Sequence, residues 1–113
     1  MSGFRLSNRA KTRLEGIFAY TDERFGREQA EHYRDSLILR LRALAEGKVP
    51  SGRPCSALVR GTAVPDDLRY IKGGAHFIVY LEHDNTVHVI DFIHEMRDLP
   101  ARLHELAKGK VEN

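Results

Sequence analysis

Apolar residues recur at helical spacing through the first 46 positions of the chain. Ala10, Leu14, Ile17 and Phe18 follow one another at steps of four, three and one, the stripe an amphipathic helix lays on a core, and they predict a helix from about Asn8 to Glu23. Ser7 stands directly before it, where a hydroxyl can accept from the first free amides. Upstream, Gly3 to Leu6 alternate apolar and polar as a short strand would. Phe25-Gly26 breaks the stripe, which resumes at Ala30, Tyr33, Leu37, Leu41 and Leu44 and predicts a second helix from Arg27 to Glu46, closed by Gly47 as a left-handed C-terminal residue. A connection of about three residues makes the pair an antiparallel helical hairpin.

The second half follows a different rhythm. Lys48 to Asp67 carries Pro50, Gly52, Pro54, Gly61 and Pro65 with few apolar residues between them, so positions 48–67 are expected to form a long loop with a short strand near Ala57 to Val59. Leu68–Lys72, Ala75–Glu82 and Thr86–His94 are rich in β-branched and aromatic residues and are parted by Gly73-Gly74 and Asp84-Asn85, both suited to tight hairpins. Three consecutive antiparallel strands result. The last two are apolar on both faces, so the hairpin covers one side of the sheet and another element must cover the other. A short helix from about Leu99 to Ala107, with Leu99, Leu103 and Leu106 on one side, can supply that cover, leaving a polar, mobile tail at 108–113. The expected architecture is α+β: an N-terminal strand and an antiparallel helical hairpin packed on a small antiparallel sheet, with a short C-terminal helix. All 113 residues belong to one domain.

Composition narrows the function classes. With 42% hydrophobic and 30% charged residues the chain is neither disordered nor low-complexity. It has no apolar run of the roughly 20 residues a membrane span requires. The N-terminus carries Arg5 and Arg9 and no signal-peptide pattern, so a cytoplasmic location is expected. Cys55 stands alone, which excludes an internal disulfide and a cysteine-based zinc site. Eighteen basic against sixteen acidic residues is too even for a dedicated nucleic-acid binder, and direct sequence-specific nucleic-acid binding is not expected. Only positions 48–74 are distinctly positive, with five basic and two acidic groups; together with thirteen arginines against five lysines this hints at an acidic partner.

Candidate chemistry is sparse. His88 and His94, an even number apart on one expected strand, should share a face, yet they would lie about 20 Å apart, too far to share a metal. The six histidines show no metal-ligand spacing, and no Walker loop, GxGxxG, GxSxG or HExxH occurs. No catalytic residue, metal ligand or cofactor is assigned.

The motifs taken together resemble a family. Phe4-Arg5-Leu6-Ser7 leading into a helix with Ala10 and Leu14, then Ile17 and Tyr20, Phe25-Gly26-Arg27-Glu28-Gln29-Ala30 and Tyr33 open the series. Gly52-Arg53, Leu68-Arg69-Tyr70-Ile71 and His76-Phe77-Ile78-Val79-Tyr80 continue it, and Ile93-His94-Glu95-Met96-Arg97-Asp98-Leu99-Pro100 with Arg102-Leu103 closes it. In order and spacing the chain resembles the ParE-type toxins of the RelE/ParE toxin-antitoxin superfamily over nearly its whole length. The resemblance implies a non-enzymatic toxin that needs no cofactor, arrests growth by inhibiting DNA gyrase and is neutralised by a cognate ParD-like antitoxin. The alternative is a ribosome-dependent messenger RNA endoribonuclease of the RelE type. That branch relies on basic residues and often a late Tyr or His; here Lys108, Lys110 and His104 are present without a late Tyr, and Asp91 and Glu95 would repel a phosphate.

Candidate binding residues carry an ordinary reading beside the functional one. Leu14 and Phe18 belong to the core stripe and could also line an antitoxin groove between hairpin and sheet, opening beside Arg69 and Tyr70. Arg69 and Tyr70 suit either a solvated pair or a clamp for an acidic peptide. His76 and Tyr80 share a strand face, as a hydrogen-bonded core pair or as partner contacts. Met96 and Arg97, in the turn before the last helix, are the candidate contacts to the target, and Asp98 is the expected N-cap of that helix.

Overall fold

Ser7 ties the beginning of the chain to its last strand. Its backbone N–H donates to the Val89 carbonyl at 2.9 Å, its hydroxyl donates to the Ile90 carbonyl at 2.9 Å, and the same oxygen accepts the Ala10 N–H at 3.0 Å. One residue thereby ends strand β1 (Gly3–Leu6), docks it on β5 (Thr86–His94) and caps helix α1 (Asn8–Phe25). The computed structural model describes residues 3–59 and 64–108. The expected tail beyond 108 and the stretch 60–63 of the long loop lie outside the described residues.

Helix α2 (Arg27–Ala45) follows α1 after Gly26 alone, a tighter connection than three residues. Gly26 makes it with φ +95, a conformation open to glycine and strained for other residues. Five strands form one sheet in the order β1-β5-β4-β3-β2, with β2 at Arg53–Pro54, β3 at Arg69–Gly73 and β4 at His76–His83. The sheet is antiparallel except for β1, which runs parallel to β5 with Phe4 opposite Val87. The expected strand near 57–59 is instead at Arg53–Pro54, followed by a 3-10 turn at Cys55–Ala57. Val59 goes into the core, so its segment is used for burial and not for pairing.

Two apolar layers flank the sheet. On one side Leu37, Leu41 and Ala10 of the hairpin meet Ile78, Tyr80, Val87 and Phe92. On the other, Leu99, Leu103 and Leu106 of helix α3 (Leu99–Lys108), together with Cys55 and Leu68, cover Val79, Ile90 and Ile93. Asp98 caps α3, its carboxylate accepting the Ala101 N–H at 3.2 Å. Each fully buried Leu contributes roughly 1.5–3 kcal/mol, so the few leucines of α3 suffice to hold a ten-residue helix that would be marginal alone.

A β-bulge alters the register between β4 and β5. Val79 pairs with Asp91 and Tyr80 with Val89, leaving Ile90 as the extra residue. Side-chain alternation resets there. His88 and His94 consequently face opposite sides of the sheet, contrary to the simple even-spacing rule: His94 lies against the His76 ring on the hairpin side, while His88 lies near His83.

Candidate functional site

A concavity of about 1070 Å³ runs between α1, the start of α2, the β3–β4 turn and the segment leaving β5. Helix α1 makes its wall with a second stripe beside the buried one. Arg9, Arg13, Gly16 and Tyr20 stand at i, i+4, i+7 and i+11, while Ala10 and Leu14 point to the core. Phe25 and Gln29 close one end, Met96 and Arg97 the other. Tyr20, Phe25 and Met96 are 59%, 66% and 84% exposed, an apolar lining held open to solvent. Among the described residues the lining holds three arginines, Arg9, Arg13 and Arg97, and no carboxylate.

Tyr33 builds the floor. Its hydroxyl accepts the Ala75 N–H at 2.9 Å and lies 2.6 Å from His76 Nδ1. The ring sits under the β3–β4 turn so closely that a Cβ on Gly74, at φ +59, would lie 2.6 Å from Tyr33 Cε1. Burial, reinforced by the neighbouring His94, lowers the pKa of His76 to about 4. His76 is therefore neutral at pH 7, its Nδ1 accepting the Tyr33 proton. Desolvation likewise raises the Tyr33 pKa, so the hydroxyl stays protonated. His94 is exposed and accepts the Met96 N–H on Nδ1 at 3.0 Å, which fixes the turn presenting Met96 and Arg97.

Arg13 reaches the sheet from α1. Its Nε donates to Asp91 Oδ1 at 3.2 Å, and the same oxygen accepts the Phe92 N–H at 2.8 Å. Asp91 is fully buried at the bulge, and its Oδ2 has no partner among the described residues. Glu95 pairs with Lys72, which holds its pKa below the usual carboxylate value. Both acids read from the sequence as repelling a phosphate are thus already matched to a cation inside the molecule.

The residues singled out in the sequence are spread over the fold. His76, Met96 and Arg97 line this groove. Leu14 packs against the hairpin-side core, and Phe18 lies under the guanidinium groups of Arg27 and Arg34, 5.6 and 5.1 Å from its ring centre. Arg69 donates to the Gly52 carbonyl at 2.7 Å, and Tyr80 is fully buried with its hydroxyl accepting the Gly52 N–H at 2.6 Å. Tyr70 lies on the opposite face from Tyr80, edge-on to Phe77, beside a separate hollow of about 440 Å³ that also includes Arg53 and Lys72. The groove opens beside the β3–β4 turn and not along Arg69 and Tyr70.

Arg9, Arg13, Tyr20 and Phe25 are not among the candidate binding residues read from the sequence, although Tyr20 and Phe25 stand in its motifs. The i, i+4 spacing of Arg9 and Arg13 one position off the core stripe was the available signal. Among the described residues no group of three His, Cys, Asp or Glu could hold a metal ion, and no helix is long and apolar enough to cross a membrane.

Comparison with known proteins adds three findings. The family described as "ParE toxin of type II toxin-antitoxin system, parDE" matches residues 4–99. Toxin ParE1 of Caulobacter vibrioides is 31% identical over 103 residues, which is 91% of this chain and 99% of that protein. A chain of the chromosomal ParDE TA system from P. aeruginosa superposes with a TM-score of 0.64 at 15% identity, covering 83% of this chain and 95% of that one, a likeness of fold.

Proposed function

This chain belongs to the ParE toxins of type II toxin-antitoxin systems, and from that premise we propose that it is a non-enzymatic, growth-arresting toxin of the cytoplasm, acting on DNA gyrase and neutralised by a ParD-type antitoxin seated in the α1 groove. One observation carries the seat. In a chain whose charges nearly balance, the described residues of the groove present three arginines and no carboxylate around exposed Tyr20, Phe25 and Met96. An amphipathic segment with acidic residues is the complementary occupant: its apolar anchors supply most of the affinity, and its carboxylates set register.

Neutralisation then follows from geometry. Met96 and Arg97, the candidate target contacts, line the same groove, so an antitoxin lying there hides them from the target. The non-catalytic reading is supported by how the groove's histidines are used: His76 holds Tyr33, and His94 holds the Met96 turn. The gyrase assignment rests on the family resemblance.

Induced expression tests the reading. Growth should stop and recover when a ParD-type antitoxin is co-expressed, and arrested cells should accumulate gyrase-dependent DNA breaks while primer extension shows no cuts phased to codons. Reproducible codon-phased cuts would transfer the function to messenger cleavage. In calorimetry the antitoxin should bind with a strongly negative heat-capacity change, as coupled folding that buries roughly 1,000–3,000 Å² requires.

A further inference from the structure

Asp91 is an expensive residue in its place. It interrupts the apolar run of β5, is fully buried, and keeps one carboxylate oxygen without a partner among the described residues. An acceptor left in that state weakens the fold, so the carboxylate is not explained by stability. What it does is aim Arg13. The β-bulge re-directs β5 at this point, and Oδ1, already steadied by the Phe92 N–H, takes Arg13 Nε and no terminal nitrogen.

We propose that Arg13, held by Asp91, is the anchor for one carboxylate of the partner segment that occupies the groove, with Asp91 as its positioning residue; this rests on the antitoxin reading above. The Arg13 side chain is 38% exposed and lines the groove, with its terminal nitrogens unpaired among the described residues. A guanidinium fixed through Nε presents those two nitrogens in a set plane, the geometry a carboxylate meets in a bidentate pair. Arg9, one turn earlier on α1, and Arg97, on the segment after β5, keep the surroundings positive, while Tyr20 and Met96 offer apolar ground on which that pair is partly shielded from water. Arg13 is thus pre-ordered before the partner arrives, and its side-chain entropy is largely spent in folding.

The test measures affinity of the 113-residue chain and its variants for a cognate ParD-type antitoxin, with thermal unfolding recorded for each. Arg13→Gln should weaken binding roughly 10- to 100-fold at unchanged fold, and Arg13→Lys should fall between the two, since it keeps the charge and loses the fork. Asp91→Asn retains the Phe92 contact and relieves the buried charge; it should bind several-fold more weakly while melting no lower than the parent. A double-mutant cycle pairing Arg13→Gln with each Asp→Asn or Glu→Gln change in the antitoxin should single out one coupled carboxylate. An Arg13→Gln protein that binds within twofold of the parent overturns the proposal, as does a cycle with no coupled carboxylate or an Asp91→Asn protein that loses stability and keeps its affinity. Loss of retention on immobilised duplex DNA with antitoxin affinity intact would assign Arg13 to a phosphate, and also overturns it. If the unmodified protein does not bind the antitoxin at all, the functional reading itself has failed.

Discussion

The hydroxyl of Tyr80, in the middle of β4, accepts the backbone N–H of Gly52 at 2.6 Å from beneath the sheet edge. Arg69 takes the other side of the same residue through the Gly52 carbonyl at 2.7 Å. Both polar groups of a loop residue are thereby satisfied by side chains from adjacent strands, which is how the long excursion after α2 is fastened to the sheet and how Pro54, with no N–H to give, can sit at its edge. No side chain fits at position 52: a Cβ there would run into the Tyr70 carbonyl.

Tyr80→Phe should accordingly destabilise the protein by about 1–3 kcal/mol, since it leaves the part-buried Gly52 N–H without its acceptor. Gly52→Ala should cost at least as much, because the obstacle is backbone and cannot swing aside. Urea titration checks both. A Tyr80→Phe protein as stable as the parent would show that water replaces the hydroxyl.

Acid should weaken the fold through His76 before most carboxylates titrate. Its pKa is about 4 when folded against an ordinary value of 6.5, lowered first by burial and then by His94, with Arg13 acting in the same direction and Glu95 opposing. A histidine depressed in the folded state contributes its stability in full above pH 6.5 and loses it as pH falls through about 4. The shift corresponds to roughly 3 kcal/mol in total. Unfolding free energies measured by denaturant at pH 7.5, 5.5 and 4.5 should decline across that interval, and a His76→Gln variant should show a flatter profile.

Cys55 should be inert in the native protein. It is fully buried beneath α3, and desolvation raises its thiol pKa to about 12, so almost no thiolate exists at neutral pH. A colourimetric thiol reagent should label it only as fast as the chain unfolds, and fully in denaturant. Rapid labelling at native protection would mean that α3 opens locally.

Phe25→Ala and Met96→Ala should leave stability within about 0.5 kcal/mol, because both side chains are mostly in solvent. Each should reduce antitoxin affinity roughly tenfold or more if it anchors an apolar side chain of the partner. Fluorescence anisotropy with a labelled antitoxin separates the two effects. Unchanged affinity in both variants would move the seat elsewhere.

Local chemistry was enough to place most elements. Ser7 as cap, the core stripe Ala10-Leu14-Ile17, the Asp84-Asn85 turn with both residues at positive φ, Gly47 at φ +73 and Asp98 before α3 are all decided within a few residues of where they act, so the linear pattern contains them. The family could also be recognised from the same run of short motifs. The groove could not, because its walls come from residues 8–33, 75–76 and 94–97, and no local rule brings those together. The bulge at Ile90 is the clearest case. One extra residue resets the alternation, turning Phe92 and His94 to the hairpin face and so parting His94 from His88, while Asp91 keeps the face of Val87 and Val89, under Arg13, 78 residues away in the chain. The pairing of β5 with β4 decides that reset, and such a register exists only once the two strands have met.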